Sequence, residues 1–329
     1  MSELYAGVDL GGTNIKAVLA TAEGEVVVSD ATETASHLGP DGVLERVAAL
    51  VQELAGRAGT PPVALGMGVP GLLDLKRGIS LFLPNFPTNW RNVPIREALQ
   101  RALGCPVDIL NDVRTATLGE LMYGYGREVD SFVLFTIGTG IGGGVVIDRR
   151  LRLGPLGAAG ELGHQTILGE GPLCGCGNRG CLEALASGPA IAAAGVRLIR
   201  NGLAPRLHEL AGGDLNRVTP ELMARAAEEG EESVRAELLR VAEYLGIGVA
   251  NVVTALHPDL VLLGGGVAKM GDLLLEPVRE VVRRRVRMFP VDGVVIDRPR
   301  LVENAGTLGG VALAVERRRG NFPFPGEAG

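Results

Sequence analysis

Lysine is nearly missing from this chain, occurring only at positions 16, 76 and 269, so almost every cationic side chain is arginine. The charges sum to a formal −6, with 32 Lys and Arg against 38 Asp and Glu, and composition does not supply the basic face that a nucleic-acid partner calls for. The arginine bias suits heat adaptation or a GC-rich genome equally. The N-terminal run MSELYAGVDLGG has neither a basic region nor an apolar signal core. The longest apolar stretch, residues 245–256, is too short to span a bilayer and is closed by His257, Pro258 and Asp259. These absences predict a cytoplasmic protein with no membrane and no nucleic-acid partner. Aromatics make up 4% and there are four cysteines, which a reducing compartment leaves available to metals.

What is abundant is glycine, 49 residues among 329, with 46% hydrophobic side chains. That length supports two domains, each with its own core. The glycines imply many tight turns and close backbone approaches, as in an α/β protein that wraps a nucleotide.

Three of the four cysteines fall in one segment, ELGHQTILGEGPLCGCGNRGCLE, residues 161–183. His164, Cys174, Cys176 and Cys181 are the one imidazole and three thiolates that close a tetrahedral structural zinc site. Gly175, Gly177 and Gly180 let the backbone fold around a small ion. A disulfide is the alternative, but Cys174 and Cys176 sit too close to pair comfortably and three thiols leave one over. Glu161 and Glu183 flank the knot, and two carboxylates held beside an imidazole suit a ligand rich in hydroxyl groups. His164 can bind metal through one nitrogen and a ligand oxygen through the other.

Two strand–glycine turn–strand units add phosphate chemistry. Residues 4–10 and 15–20 read as strands around Asp9, Gly11, Gly12, Thr13 and Lys16, a context unlike the strand–turn–helix of dinucleotide sites. The glycines bring backbone N–H groups to phosphate oxygens, Thr13 adds a hydroxyl, and Asp9 can hold Mg²⁺ through water. The same pattern returns at 131–137 and 145–148 around the glycine loop 138–144, with Thr139 and Gly140 as phosphate contacts. A duplicated fold follows, one phosphate loop per half. Between them, residues 41–57 carry an apolar helical stripe, 93–103 a helix and 107–110 a strand that delivers Asn111 and Asp112 at its C-terminal end. On its own that pair reads as a helix cap or as a ligand site at a strand end. Residues 182–200 and 231–256 read as helices, 259–263 as a strand into Gly264, Gly265 and Gly266, 307–318 as a helix, and the tail from Gly320 as mobile.

The Glu-x-x-His followed by Cys-x-Cys-Gly-x-x-Gly-Cys-Leu-Glu resembles the signature of the ROK family of sugar kinases and sugar-responsive repressors. The resemblance implies two ribonuclease-H-like (actin-like ATPase) domains with an interdomain cleft: residues 1–112 plus 300–329, and residues 113–299. It implies ATP and Mg²⁺ as cofactors with structural Zn²⁺, and a homodimer or homotetramer. Asp112 becomes the catalytic base, and Asn85, Asn111, Glu161, His164 and Glu183 become sugar contacts. The turn at Gly265 becomes the adenosine loop. The implied activity is phosphorylation of a hexose 6-hydroxyl. The loop with Pro84, Asn85 and Trp90 looks more like that of glucose kinases than of N-acetylhexosamine or fructose kinases. The family's repressors carry an N-terminal winged helix-turn-helix, for which the loop at Asp9 leaves no room.

Overall fold

The computed structural model describes residues 3–83 and 86–327. Among the described residues twelve strands follow in chain order: β1 (Tyr5–Leu10), β2 (Asn14–Ala20), β3 (Val26–Glu33), β4 (Leu65–Val69), β5 (Leu72–Asp74), β6 (Ile79–Phe82), β7 (Val107–Asn111), β8 (Phe132–Ile137), β9 (Ile141–Ile147), β10 (Arg150–Leu151), β11 (Leu260–Gly264) and β12 (Val295–Asp297). The α-helices are α1 (Gly39–Ala58), α2 (Ile95–Leu103), α3 (Asp112–Tyr123), α4 (Leu182–Ala186), α5 (Gly188–Arg200), α6 (Pro205–Leu210), α7 (Pro220–Glu228), α8 (Glu232–Leu256), α9 (Asp272–Arg285) and α10 (Ala305–Arg318).

The first sheet runs β3-β2-β1-β4-β7 and the second β10-β9-β8-β11-β12. Counted within each sheet, both orders are third, second, first, fourth, fifth. In the first sheet β2 pairs antiparallel with β1 and β3, while β1, β4 and β7 run parallel. In the second, β8, β11 and β12 run parallel. The central strands are buried along their length because helices cover them, and they read as continuous apolar runs such as LVLLG.

The chain divides into two compact units: residues 1–130, 144–160 and 300–329, and residues 131–143 and 161–299. The resemblance implied a boundary at 112, whereas α3 lies in the first unit, where it packs on α10 backbone to backbone. A Cβ on Gly309 would come within 1.9 Å of the Thr115 carbonyl oxygen. Helix α10 lies equally close on the first sheet, where a Cβ on Gly66 would meet the Gly310 oxygen at 2.1 Å.

Three expectations change in the structure. Gly142, Gly143 and Gly144, expected in a loop, lie inside β9. Gly144 serves close packing there: a Cβ on it would sit 2.0 Å from Thr117 Oγ1. The helix expected over 182–200 breaks at Ser187, where Gly188 and Pro189 restart it as α5. The tail, expected to be mobile, is anchored. Phe324 is 1% exposed, and the Arg317 guanidinium lies 4.0 Å over its ring. Arg317 also pairs with Glu327 at 2.6 Å and with Asp108 at 3.3 Å. Burying one aromatic outweighs the freedom of a short Pro- and Gly-rich segment. Phe324→Ala should therefore cost about 3 kcal/mol of stability, read as a lower midpoint in chemical denaturation.

Helix α8 is long and apolar enough, by length and composition, to cross a membrane, and 56% of its most apolar window is buried within the protein.

Candidate functional site

In the first unit, β1 ends at Leu10 and β2 begins at Asn14, so Gly11, Gly12 and Thr13 form the whole turn. The Gly11 N–H donates to the Asn14 carbonyl at 3.0 Å. Thr34, fully buried, closes the turn from β3's end: its hydroxyl donates to the Gly11 oxygen at 2.7 Å and its N–H to the Thr13 oxygen at 2.8 Å. Nothing in the sequence marked Thr34. Gly12 and Thr13 are exposed at the tip, with the Thr13 oxygen taken by Thr34.

Asp9 and Lys16 are directly opposite each other in the β1–β2 register. Asp9 is partly buried, with its carboxylate against the start of α10, where a Cβ on Gly306 would lie 2.6 Å from Asp9 Cγ. Burial, then the nearby Asp112 charge, push the Asp9 carboxyl from its ordinary 3.8 up to about 6, with Lys16 pulling the other way. Asp112 is the first residue of α3, directly after β7. Asn111 caps that helix: its Oδ1 accepts from the N–H groups of Val113 at 3.1 Å and Arg114 at 3.4 Å, and its Nδ2 donates to the Gly71 oxygen at 3.3 Å. The buried Arg114 fixes the same turn of helix through the Ala158 and Ala159 oxygens. The strand–helix junction thus fixes the backbone of Asp112, whose charge is felt at Asp9. Two carboxylates whose charges interact are of the chemical type that could hold a divalent cation or take up a proton.

In the second unit, the ligand atoms of His164, Cys174, Cys176 and Cys181 all lie within 4.8 Å of one another. Cys174 Sγ is 3.7 Å from His164 Nδ1, and Cys176 Sγ is 3.7 Å from Cys181 Sγ. A tetrahedral zinc with bonds of about 2.3 Å to sulfur has edges of about 3.8 Å, so the donor set fits that ion. With Nδ1 facing the thiols, Nε2 is the imidazole nitrogen left for another partner. Burial raises the Cys174 and Cys181 thiols, whereas the Asn178 backbone N–H lowers the exposed Cys176. The knot is shaped by its own backbone: the Cys174 N–H donates to the Asn178 oxygen at 2.8 Å, and Gly177 and Gly180 take φ of 89° and 67°.

Glu161 and His164 share an open concavity of about 490 Å³ with Gln165, Asn251, Val252 and Leu256. Glu183, at the start of α4, accepts a hydrogen bond from the Ile141 N–H at 2.9 Å and lies 3.7 Å from Cys174 Sγ. Thr139 is exposed at the turn between β8 and β9, with Gly140 beside it. Gly265, φ 86°, backs onto the end of β8, where a Cβ would meet the Ile137 oxygen at 2.4 Å. The second glycine turn, the knot and the Gly265 turn therefore belong to one unit. Asn85 lies outside the described residues. Trp90, 2% exposed, packs edge-on against Phe86 with ring centroids 5.3 Å apart.

Two sheets of one repeated strand order, each with a glycine turn after its first strand, define an α/β protein of the actin-like ATPase fold, built from two ribonuclease-H-like domains. A profile of the ROK family matches residues 5–317, and the chain belongs to that family. A glucokinase of Thermotoga maritima is 36% identical over 315 residues, covering 94% of this chain and 97% of that one. A xylose repressor of Caldicellulosiruptor bescii is 33% identical over 312 residues, covering 94% of this chain and 77% of the repressor. Among solved structures, a ROK hexokinase from Thermus thermophilus has a TM-score of 0.83 at 34% identity, covering 96% of this chain and 99% of that one. A ROK glucokinase from Streptomyces griseus, in complex with glucose and AMPPNP, has a TM-score of 0.81 at 32% identity, covering 94% and 99%.

Proposed function

We propose that this chain is an ATP-dependent hexose kinase that phosphorylates the 6-hydroxyl of glucose, with Asp112 as general base. The observation that supports it most is the placement of Asp112 at the head of α3, beside Asp9 and the first glycine turn. Phosphoryl transfer needs positioning and charge neutralisation more than covalent chemistry. Gly11, Gly12, Thr13, Thr139 and Gly140 offer amides and hydroxyls to the phosphates, Lys16 a positive charge, and the Gly265 turn a flat seat for adenosine. Asn85, Asn111, Glu161, His164 and Glu183 orient the sugar through its hydroxyls, and Asp112 accepts the proton of the attacking one. Asp9 would hold Mg²⁺, which neutralises triphosphate charge. His164, Cys174, Cys176 and Cys181 would hold a structural zinc. We place the enzyme in the cytoplasm as a homodimer or homotetramer.

ADP release measured over glucose, mannose, fructose, N-acetylglucosamine and N-acetylmannosamine tests this. Glucose should give the highest kcat/KM, and absence of turnover with every sugar would end the kinase reading. The match to the xylose repressor over 94% of this chain favours a second reading, a sugar-responsive regulator, for which a gel shift with operator-like DNA is the check.

Asp9 sets an expected pH dependence. Its carboxyl must be ionised to hold Mg²⁺, so kcat/KM should rise with pH through about 6, where an unperturbed aspartate would be fully ionised already. Because the fold raises this carboxyl, it binds the proton more tightly than the unfolded chain does. The stability that Asp9 contributes is thus present at low pH and declines as pH rises between 3.8 and about 6. A pH–rate profile with its acid limb near 4 would assign Asp9 another role.

A further inference from the structure

The metal-binding segment touches the second glycine turn at several points, all within the second unit. Glu183 Oε2 accepts the Ile141 N–H at 2.9 Å. The same oxygen lies over Gly140, where a Cβ would come within 2.5 Å of it. From the other end of the segment, Gly163 presses on Ile141, and a Cβ there would be 2.0 Å from the Ile141 oxygen. A third tie closes the base of the turn, the Gly188 N–H donating to the Gly138 oxygen at 2.8 Å. Gly163 immediately precedes the donor His164, Glu183 follows the donor Cys181 by two residues, and Glu183 Oε1 lies 3.7 Å from Cys174 Sγ. The turn at 138–141 is thus gripped from two sides by residues one and two positions from the metal donors. The grip needs glycine at 140 and 163, since a side chain at either would displace backbone or carboxylate.

We propose that the metal knot sets the nucleotide side of the reaction as well as the sugar side: ordered by its ion, it holds the 138–141 turn through Glu183 and Gly163, and metal loading raises affinity for a nucleoside triphosphate when no sugar is present. Glu183 is in this respect a positioning residue for the phosphate turn. The inference rests on the kinase reading above. A residue that only contacted the sugar would have no influence on nucleotide binding in the sugar's absence.

The test is calorimetric titration of the magnesium complex of a non-hydrolysable ATP analogue, without sugar, into five proteins: zinc-loaded, zinc-stripped and zinc-restored wild type, Glu183→Ala and Glu183→Gln. Zinc content and thermal midpoint are measured on each, so that a variant that has lost its ion or its fold is recognised. Glu183→Ala with full zinc should bind about tenfold more weakly, a loss of about 1.4 kcal/mol, because the Ile141 N–H loses its acceptor. Glu183→Gln should stay within about threefold of wild type, since its amide oxygen can still accept that bond. Stripped wild type should be weakened at least as much as Glu183→Ala and recover when zinc is restored. Wild-type affinity in both the stripped protein and Glu183→Ala overturns the inference alone, as does a Glu183→Gln as weak as Glu183→Ala. Failure of zinc-loaded wild type to bind nucleotide at all overturns the kinase reading with it.

Discussion

Asp112→Asn should lower turnover by at least about 1,000-fold while the protein still binds sugar, because the substitution keeps the shape of the side chain and removes the group that accepts a proton; positioned general bases contribute about 10²–10⁴. The fold should tolerate it. Removing the charge relieves Asp9, which Asp112 pushes up, and forfeits a negative charge at the N-terminus of α3. These effects oppose each other, so the thermal midpoint moves little. The Val113 N–H keeps an acceptor, since Asp112 Oδ1 now takes it at 2.9 Å and an asparagine oxygen can do the same. Steady-state kinetics and sugar binding followed by calorimetry separate the outcomes. Turnover within tenfold of wild type would mean that another group takes the proton.

Cys181→Ser should abolish stoichiometric zinc and lower turnover by more than about 100-fold. The segment 165–181 has few buried apolar side chains and is exposed over most of its length, so little besides the ion can hold it. Zinc bound to such peptides contributes about 10 kcal/mol or more, comparable with the entire stability of an ordinary domain. Cys181 is fully buried and Cys174 nearly so, which leaves a serine hydroxyl there without its metal partner. Arg179, exposed in the knot, then becomes a trypsin site. Elemental analysis should fall from one zinc per chain to none, and limited proteolysis should cut after Arg179 in the variant and not in the zinc-loaded wild type. A variant that keeps its ion or resists trypsin would show that the knot stands on its own packing.

Much of this molecule could be read from residue spacing. The cysteine–histidine cluster was legible because metal ligands are chemically few and their spacing is local. The two glycine turns were legible in position because each is a glycine run between apolar strands, and so was the place of Asp112 just after a strand end, whereas its role as base came from the resemblance alone. What spacing could not show were contacts between distant segments. Thr34 closes the first turn from 21 residues beyond Thr13, and Glu183 reaches Ile141 across 42. Gly142 to Gly144 looked like loop because glycine usually marks one, yet they lie in β9, and the glycine at 144 answers to Thr117, a residue in another element. Phe324 was missed for a related reason. A lone aromatic in a Pro-rich tail gives no periodicity, and its seat is made by Arg317 and the Arg96 guanidinium, 6.0 Å from the ring.

The place of α10 has a bearing on synthesis. Residues 300–318 complete the first unit by filling the groove over β1 and β4, yet they leave the ribosome after every residue of the second unit has been made. The usual N-terminal-first order of assembly is therefore reversed: the second unit can mature on the nascent chain while β1, β4 and β7 wait with an apolar face uncovered. Chains halted before residue 300 should aggregate through that waiting sheet and be the natural clients of chaperones.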